Sequence, residues 1–179
     1  MKVDFRIKQR DGFDGKMGEL VSMLEYSRGI LLEDIKDLSQ PDLDFIAYKG
    51  ANSIGSLLMH IASIDFVHQV ITFEGRDLND DEYTQWESAL FLGEKARDGI
   101  KNQPLNYYTK VLFETREKTL SLLSSKNEEW LFEENVWDNG VLHNNYWLWY
   151  HVMEDEINHR GQIRLIKRLL VSKKSPVNL

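Results

Sequence analysis

The stretch His151–Leu170, HVMEDEINHRGQIRLIKRLL, decides the fold. An α-helix turns about 100° per residue, so with His159 set at zero, Leu148, Val152, Ile163, Ile166 and Leu170 all fall within about 40° of it. The stretch is therefore a helix with one apolar stripe, and His159 stands at the centre of that stripe. Asp155 falls in the same sector one turn earlier, and Glu156 lies about 60° out, at the edge. Glu154, Arg164 and Arg168 point to the opposite side, where charge is solvated. A carboxylate on a core-facing stripe is costly unless something compensates it. The four-residue spacing sets Asp155 beside His159. Two readings follow: a buried ion pair, or two ligands for one metal ion.

A third ligand must come from another helix. The chain has five histidines, at 60, 68, 143, 151 and 159. His60, in SLLMHIASID, sits mid-helix beside the stripe formed by Leu57, Ile61, Ile64, His68 and Ile71. It reads either as a hydrogen-bonded core histidine or as that ligand. Two histidines and one carboxylate with open positions is a common catalytic donor set for zinc, iron and related divalent metals. His68 lacks a carboxylate neighbour and reads as structural, and His143 precedes the last helix. His151 lies about 80° from His159 and reads as a support for a ligand, a proton-transfer group or a rim residue.

The rest of the chain supplies three more long helical segments. Met17, Leu20, Leu24, Leu31, Ile35 and Leu38 recur at helical spacing over residues 15–38. A second helix starts at the N-cap Ser53 and runs to residue 73. A third opens at Pro104, a natural first-turn position, with Tyr108, Leu112, Thr115, Thr119 and Leu122 along one side. EGRDLNDDEY reads as a loop or a loop with a short helix, residues 130–142 as irregular, and WDNG as a turn. The fourth helix runs from residue 144 or 145 to 171. The fold class is all-α: a four-helix bundle with decorated connections.

Bulk properties narrow the function. The 179 residues suit one domain, taken as 1–179. The net charge of −7, with no long basic run, argues against nucleic acid as a partner. The charged start MKVDFRIKQRDGF is no signal peptide, and no run reaches the roughly 20 apolar residues of a membrane span. The absence of cysteine removes disulfides, thiolate metal sites and cysteine nucleophiles, and it fits a cytoplasmic protein.

Two segments, NSIGSLLMHIASID and HVMEDEINHRGQIRLIKRLL, resemble the DinB-like superfamily of metal-binding four-helix bundles, with HRGQI the most specific piece. Helix lengths and order agree over most of the chain. The resemblance implies a divalent metal held by one histidine of the second helix and two residues four apart on the last, here His60, Asp155 and His159. The middle ligand in that superfamily is often histidine, and is glutamate in the mycothiol-dependent maleylpyruvate isomerase branch. Aspartate is one methylene shorter, which leaves Glu156 as the alternative carboxylate. His151 matches a histidine frequent in the superfamily and is assigned the catalytic, proton-moving role. The resemblance further implies a homodimer and a thiol-dependent transferase or a metal-dependent hydrolase acting on a small molecule. Zinc or nickel is the expected metal, with iron or manganese as alternatives. Because the chain has no cysteine, thiol chemistry here requires an external low-molecular-weight thiol. A non-catalytic metal-binding or stress-response protein is the alternative function.

Overall fold

The computed structural model describes residues 3–174. Its elements, in order, are α1 (Gly15–Ile35), α2 (Gln40–Leu43), α3 (Ile54–Gln69), a π-helical turn (Val70–Glu74), α4 (Asp80–Phe91), α5 (Gly93–Gly99), α6 (Leu105–Leu123), α7 (Glu128–Leu131), β1 (Glu134–Val136), β2 (Leu142–Asn144) and α8 (Asn145–Lys174). The four long helices α1, α3, α6 and α8 form the bundle, with α3 against both α6 and α8, and α1 against both α8 and α6. The second and fourth long helices are thus neighbours, as a shared site demands.

Local chemistry sets the ends. The Ser53 hydroxyl accepts the Ser56 N–H and starts α3. Beyond the π-helical turn, Gly75 takes up a left-handed conformation at φ 63° and closes the segment. Gly55 lets α3 approach α6, because a Cβ there would stand 2.6 Å from the Tyr108 hydroxyl. The first helix ends at Ile35, short of the expected Leu38, whose N–H closes a last turn onto the Ile35 carbonyl before α2 begins its own capping box at Ser39. The segment EGRDLNDDEY, expected as a loop or a loop with a short helix, leads into α4, and α5 follows it. Asn79 and Glu82 form a capping box that starts α4. The irregular region after α6 holds α7 and a two-stranded antiparallel ribbon with Asn135 opposite His143.

The apolar core comes in two halves. One gathers Leu31, Ile35, Leu57, Leu58, Ile61, Tyr108, Leu112, Ile163, Ile166 and Leu170. The other gathers Met17, Leu20, Leu24, Leu123, Trp130, Trp149 and Val152. Between the halves every long helix carries polar residues: Arg28 on α1, Asp65 on α3, Arg116 and Thr119 on α6, and Asp155, Glu156 and His159 on α8. The bundle has a polar waist. Residues Ile54–Glu74 are also apolar and long enough to cross a membrane, contrary to the sequence expectation. That segment is mostly buried within the bundle, which is the situation of a core helix.

Candidate metal centre

Three of the side chains singled out in the sequence converge at the waist. His60 Nε2 lies 3.5 Å from Asp155 Oδ1, and His159 Nε2 lies 3.2 Å from the same oxygen. The two imidazoles meet edge to face with centroids 4.6 Å apart. One donor atom from each residue falls within 4.8 Å of the other two. Donors each about 2.1 Å from a tetrahedral ion stand roughly 3.4 Å apart, so these separations suit one first-row divalent ion. The side chains are 11%, 15% and 12% exposed, sheltered but reachable.

The surroundings aim the ligands. His60 Nδ1 bonds to the Ala89 carbonyl of α4 at 2.8 Å. Since a carbonyl only accepts, Nδ1 carries the proton and Nε2 keeps its lone pair for the centre. Burial pushes the Asp155 carboxyl up, but the His159 and His60 imidazoles outweigh it and hold Asp155 well below the usual carboxylate range. Burial likewise disfavours a charged His60, yet Asp155 and the Ala89 carbonyl outweigh it, and its pKa is raised. Asp155 Oδ2 and His159 Nδ1 are buried without a hydrogen-bond partner among the described residues. A buried, ionised carboxylate with an unmatched oxygen is expensive. A cation between the three side chains would compensate that carboxylate, so the residues present fit a divalent metal.

The alternative carboxylate, Glu156, is engaged elsewhere. Glu156 is fully buried and turned about 100° around α8 from Asp155, where Arg28 Nε donates to Oε1 at 3.0 Å and Arg116 Nη2 donates to Oε2 at 3.1 Å. The sequence placed Glu156 at an edge because α8 was taken to bury one stripe. In the bundle α8 packs against both α1 and α3, and its buried arc is wider. Arg28, Arg116 and Asp65 were not singled out in the sequence. The available signal was a lone Asp65 within the apolar α3.

His151 stands on the same side of α8, one turn before Asp155. Its Nδ1 is 3.3 Å from Glu154 and its ring stacks on Trp147 at 5.4 Å, with the planes 2° apart. Its ring centroid lies 5.8 Å from that of His68. His68 is buried, bonds through Nδ1 to the Ile64 carbonyl, and has its pKa lowered by burial. Four of the five histidines therefore line one seam between α3 and α8, with His60 beside His159 and His68 beside His151. His143 lies apart on β2, stacked on Trp137 at 3.9 Å. Trp149 is core and Trp147 is exposed.

Residues 19–171 match the family model described as mycothiol-S-transferase, and the chain belongs to that family. The match runs from α1 to α8 and includes all three converging residues. No curated protein matches the chain significantly. Among solved structures, that of a conserved protein from Enterococcus faecalis aligns with a TM-score of 0.66 at 16% identity, covering 86% of this chain and 95% of that one. At that identity the likeness is one of fold.

Proposed function

We propose, on the premise of that family membership, that this chain is a divalent-metal-dependent transferase that joins an external low-molecular-weight thiol to a small-molecule substrate. The observation that carries the reading is the convergence of His60, Asp155 and His159 around an ionised carboxylate whose second oxygen has no protein partner. In this reading those three residues hold the metal, with zinc or nickel favoured by the nitrogen-rich donor set. A divalent ion bound there lowers the pKa of a thiol or water beside it, which makes a nucleophile available at neutral pH.

The chain's own groups do the rest. The Ala89 carbonyl fixes the tautomer of His60. Asp155 supplies the negative charge that a divalent cation needs and stays ionised. His151, partly exposed and paired with Glu154, is placed to take or return a proton at the rim. The thiol comes from outside, since the chain has no cysteine. The groove of Met23, Tyr146, Trp147 and Tyr150, with Trp147 and Tyr150 exposed, supports a homodimer. We assign the protein as one domain working in the cytoplasm.

The test is loss of free thiol from mycothiol and other cysteine-based small thiols, mixed with an electrophile such as monochlorobimane and zinc- or nickel-loaded protein. Catalysed thiol loss that disappears in Asp155→Asn supports the reading. Metal-loaded protein that consumes no thiol above background, or an Asp155→Asn variant that retains the rate, overturns it.

A further inference from the structure

On the face of α8 next to the metal ligands lies a second polar cluster, built from one residue of each long helix. Arg28 of α1 grips Glu156 side-on, with Nε to Oε1 at 3.0 Å and Nη2 to Oε2 at 3.3 Å. Its Nη2 also reaches Asp65 Oδ2 at 3.4 Å, and its Nη1 donates to the Leu112 carbonyl at 2.6 Å. Arg116 of α6 donates from Nε to Asp65 Oδ2 at 2.8 Å, from Nη2 to Glu156 Oε2 at 3.1 Å, and from Nη1 to the Leu24 carbonyl at 3.0 Å. Asp65 Oδ1 accepts from Thr119 at 2.6 Å, and Thr119 Oγ1 in turn accepts from Gln69 Nε2 at 2.9 Å. The four charged side chains are at most 5% exposed and sum to zero charge.

We propose that this buried tetrad of Arg28, Asp65, Arg116 and Glu156 is a positioning device for the metal centre, fixing the register of α8 against α3 so that Asp155 and His159 meet His60. The inference rests on the metal reading above. Two features carry it. The tetrad shares both ligand-bearing helices with the centre: Glu156 follows Asp155 directly, and Asp65 lies five residues beyond His60 on α3. The second feature is degeneracy of the alternative. On either side of the waist, apolar residues recur along α8 three or four positions apart, Leu148 and Val152 before it and Ile163, Ile166 and Leu170 after it. A slide of one turn, about 5.4 Å, would exchange one apolar residue for another at little loss of burial. The same slide would pull Glu156 out of two guanidinium groups and leave Arg28 and Arg116 to share Asp65 alone, an unbalanced buried charge that the interior does not tolerate. Buried ionic groups serve best as such register marks. The arginines and acids act on the metal only through the helix they hold.

The experiment compares wild-type protein with three variants: Glu156→Gln, Thr119→Val, and a fourfold apolar variant, Arg28→Met with Asp65→Leu, Arg116→Met and Glu156→Met. Zinc affinity is measured by competition with a chromophoric chelator, the cobalt-loaded visible spectrum reports ligand geometry, and circular dichroism reports folding. The expected result is a weaker zinc site in each folded variant, by roughly 10–100-fold in Glu156→Gln and the fourfold variant, as for other groups that orient metal ligands. Their cobalt bands broaden even where the helix content and melting temperature match wild type. Thr119→Val keeps every charge and removes only the hydroxyl between Asp65 and Gln69, so it decides the matter if the other two do not fold. Zinc affinity and cobalt spectrum unchanged in any folded variant overturn the proposal. Wild-type protein that takes up neither ion overturns the metal reading instead, so the two failures are distinct.

Discussion

The two polar clusters at the waist differ in one respect. In the tetrad every side-chain nitrogen and oxygen of Arg28, Asp65, Arg116 and Glu156 has a partner. In the neighbouring triad an Asp155 oxygen and a His159 nitrogen have none among the described residues. Both clusters bury charge on α3 and α8. The tetrad solves the cost internally, whereas the triad is complete only with something added. Buried polarity that is satisfied is architecture, and buried polarity that is left open is a site.

The largest test of that contrast is to open the tetrad. Arg116→Met leaves Asp65 and Glu156 facing one arginine instead of two, and urea denaturation should show a loss of about 3–5 kcal/mol. The fourfold apolar variant, which removes all the charges together, should lose far less than the single change. Equal losses would mean that the charges themselves are net stabilising.

Closing the triad is the next effect. Zinc at about 100 times its Kd should stabilise the folded protein by roughly 2.7 kcal/mol, and a chelator should remove that increment. Asp155→Asn should bind little zinc and gain nothing. The melting curve with and without zinc checks both.

Acid should act on the tetrad with a definite sign. Burial pushes the Asp65 carboxyl up, but Arg116, Arg28 and the Thr119 hydroxyl hold its pKa below the ordinary carboxylate value. The folded state therefore binds the proton less readily than the unfolded chain. Its contribution to stability is full above the unfolded carboxylate pKa of about 4 and is lost as pH falls through the lower folded value. Asp65→Asn should flatten that part of the stability–pH curve. The smallest effect belongs to Thr119→Val, which removes one neutral donor from Asp65 and should cost about 1–2 kcal/mol at pH 7 by urea denaturation.

The triad was the more legible of the two clusters. Asp155 and His159 lie one turn apart at the centre of an apolar stripe, so the helical wheel aimed both inward, and His60, mid-helix beside a second stripe, was the best placed of the other histidines. The tetrad was hidden by the same method. A search for apolar periodicity passes over Arg28 and Arg116 as solvent-facing charges, although Leu24 and Leu31 flank one and Leu112 and Thr119 the other. A wheel drawn on one helix also cannot say how many neighbours that helix has, which is why Glu156 was read at an edge. Helix α4 was legible only as one of two alternatives for a different reason: its first turn is Asp-Asp-Glu, polar enough to pass for loop, although Asn79 and Glu82 already spelled a capping box.

The most direct measurement of the central claim is metal stoichiometry. Purified protein, stripped by chelator, incubated with excess zinc and desalted, is assayed by elemental analysis beside His159→Ala prepared in the same way. The account predicts one zinc per chain in the first and almost none in the second, with both equally helical by circular dichroism. No retained zinc in the wild-type protein, or one zinc per chain in His159→Ala, would contradict it.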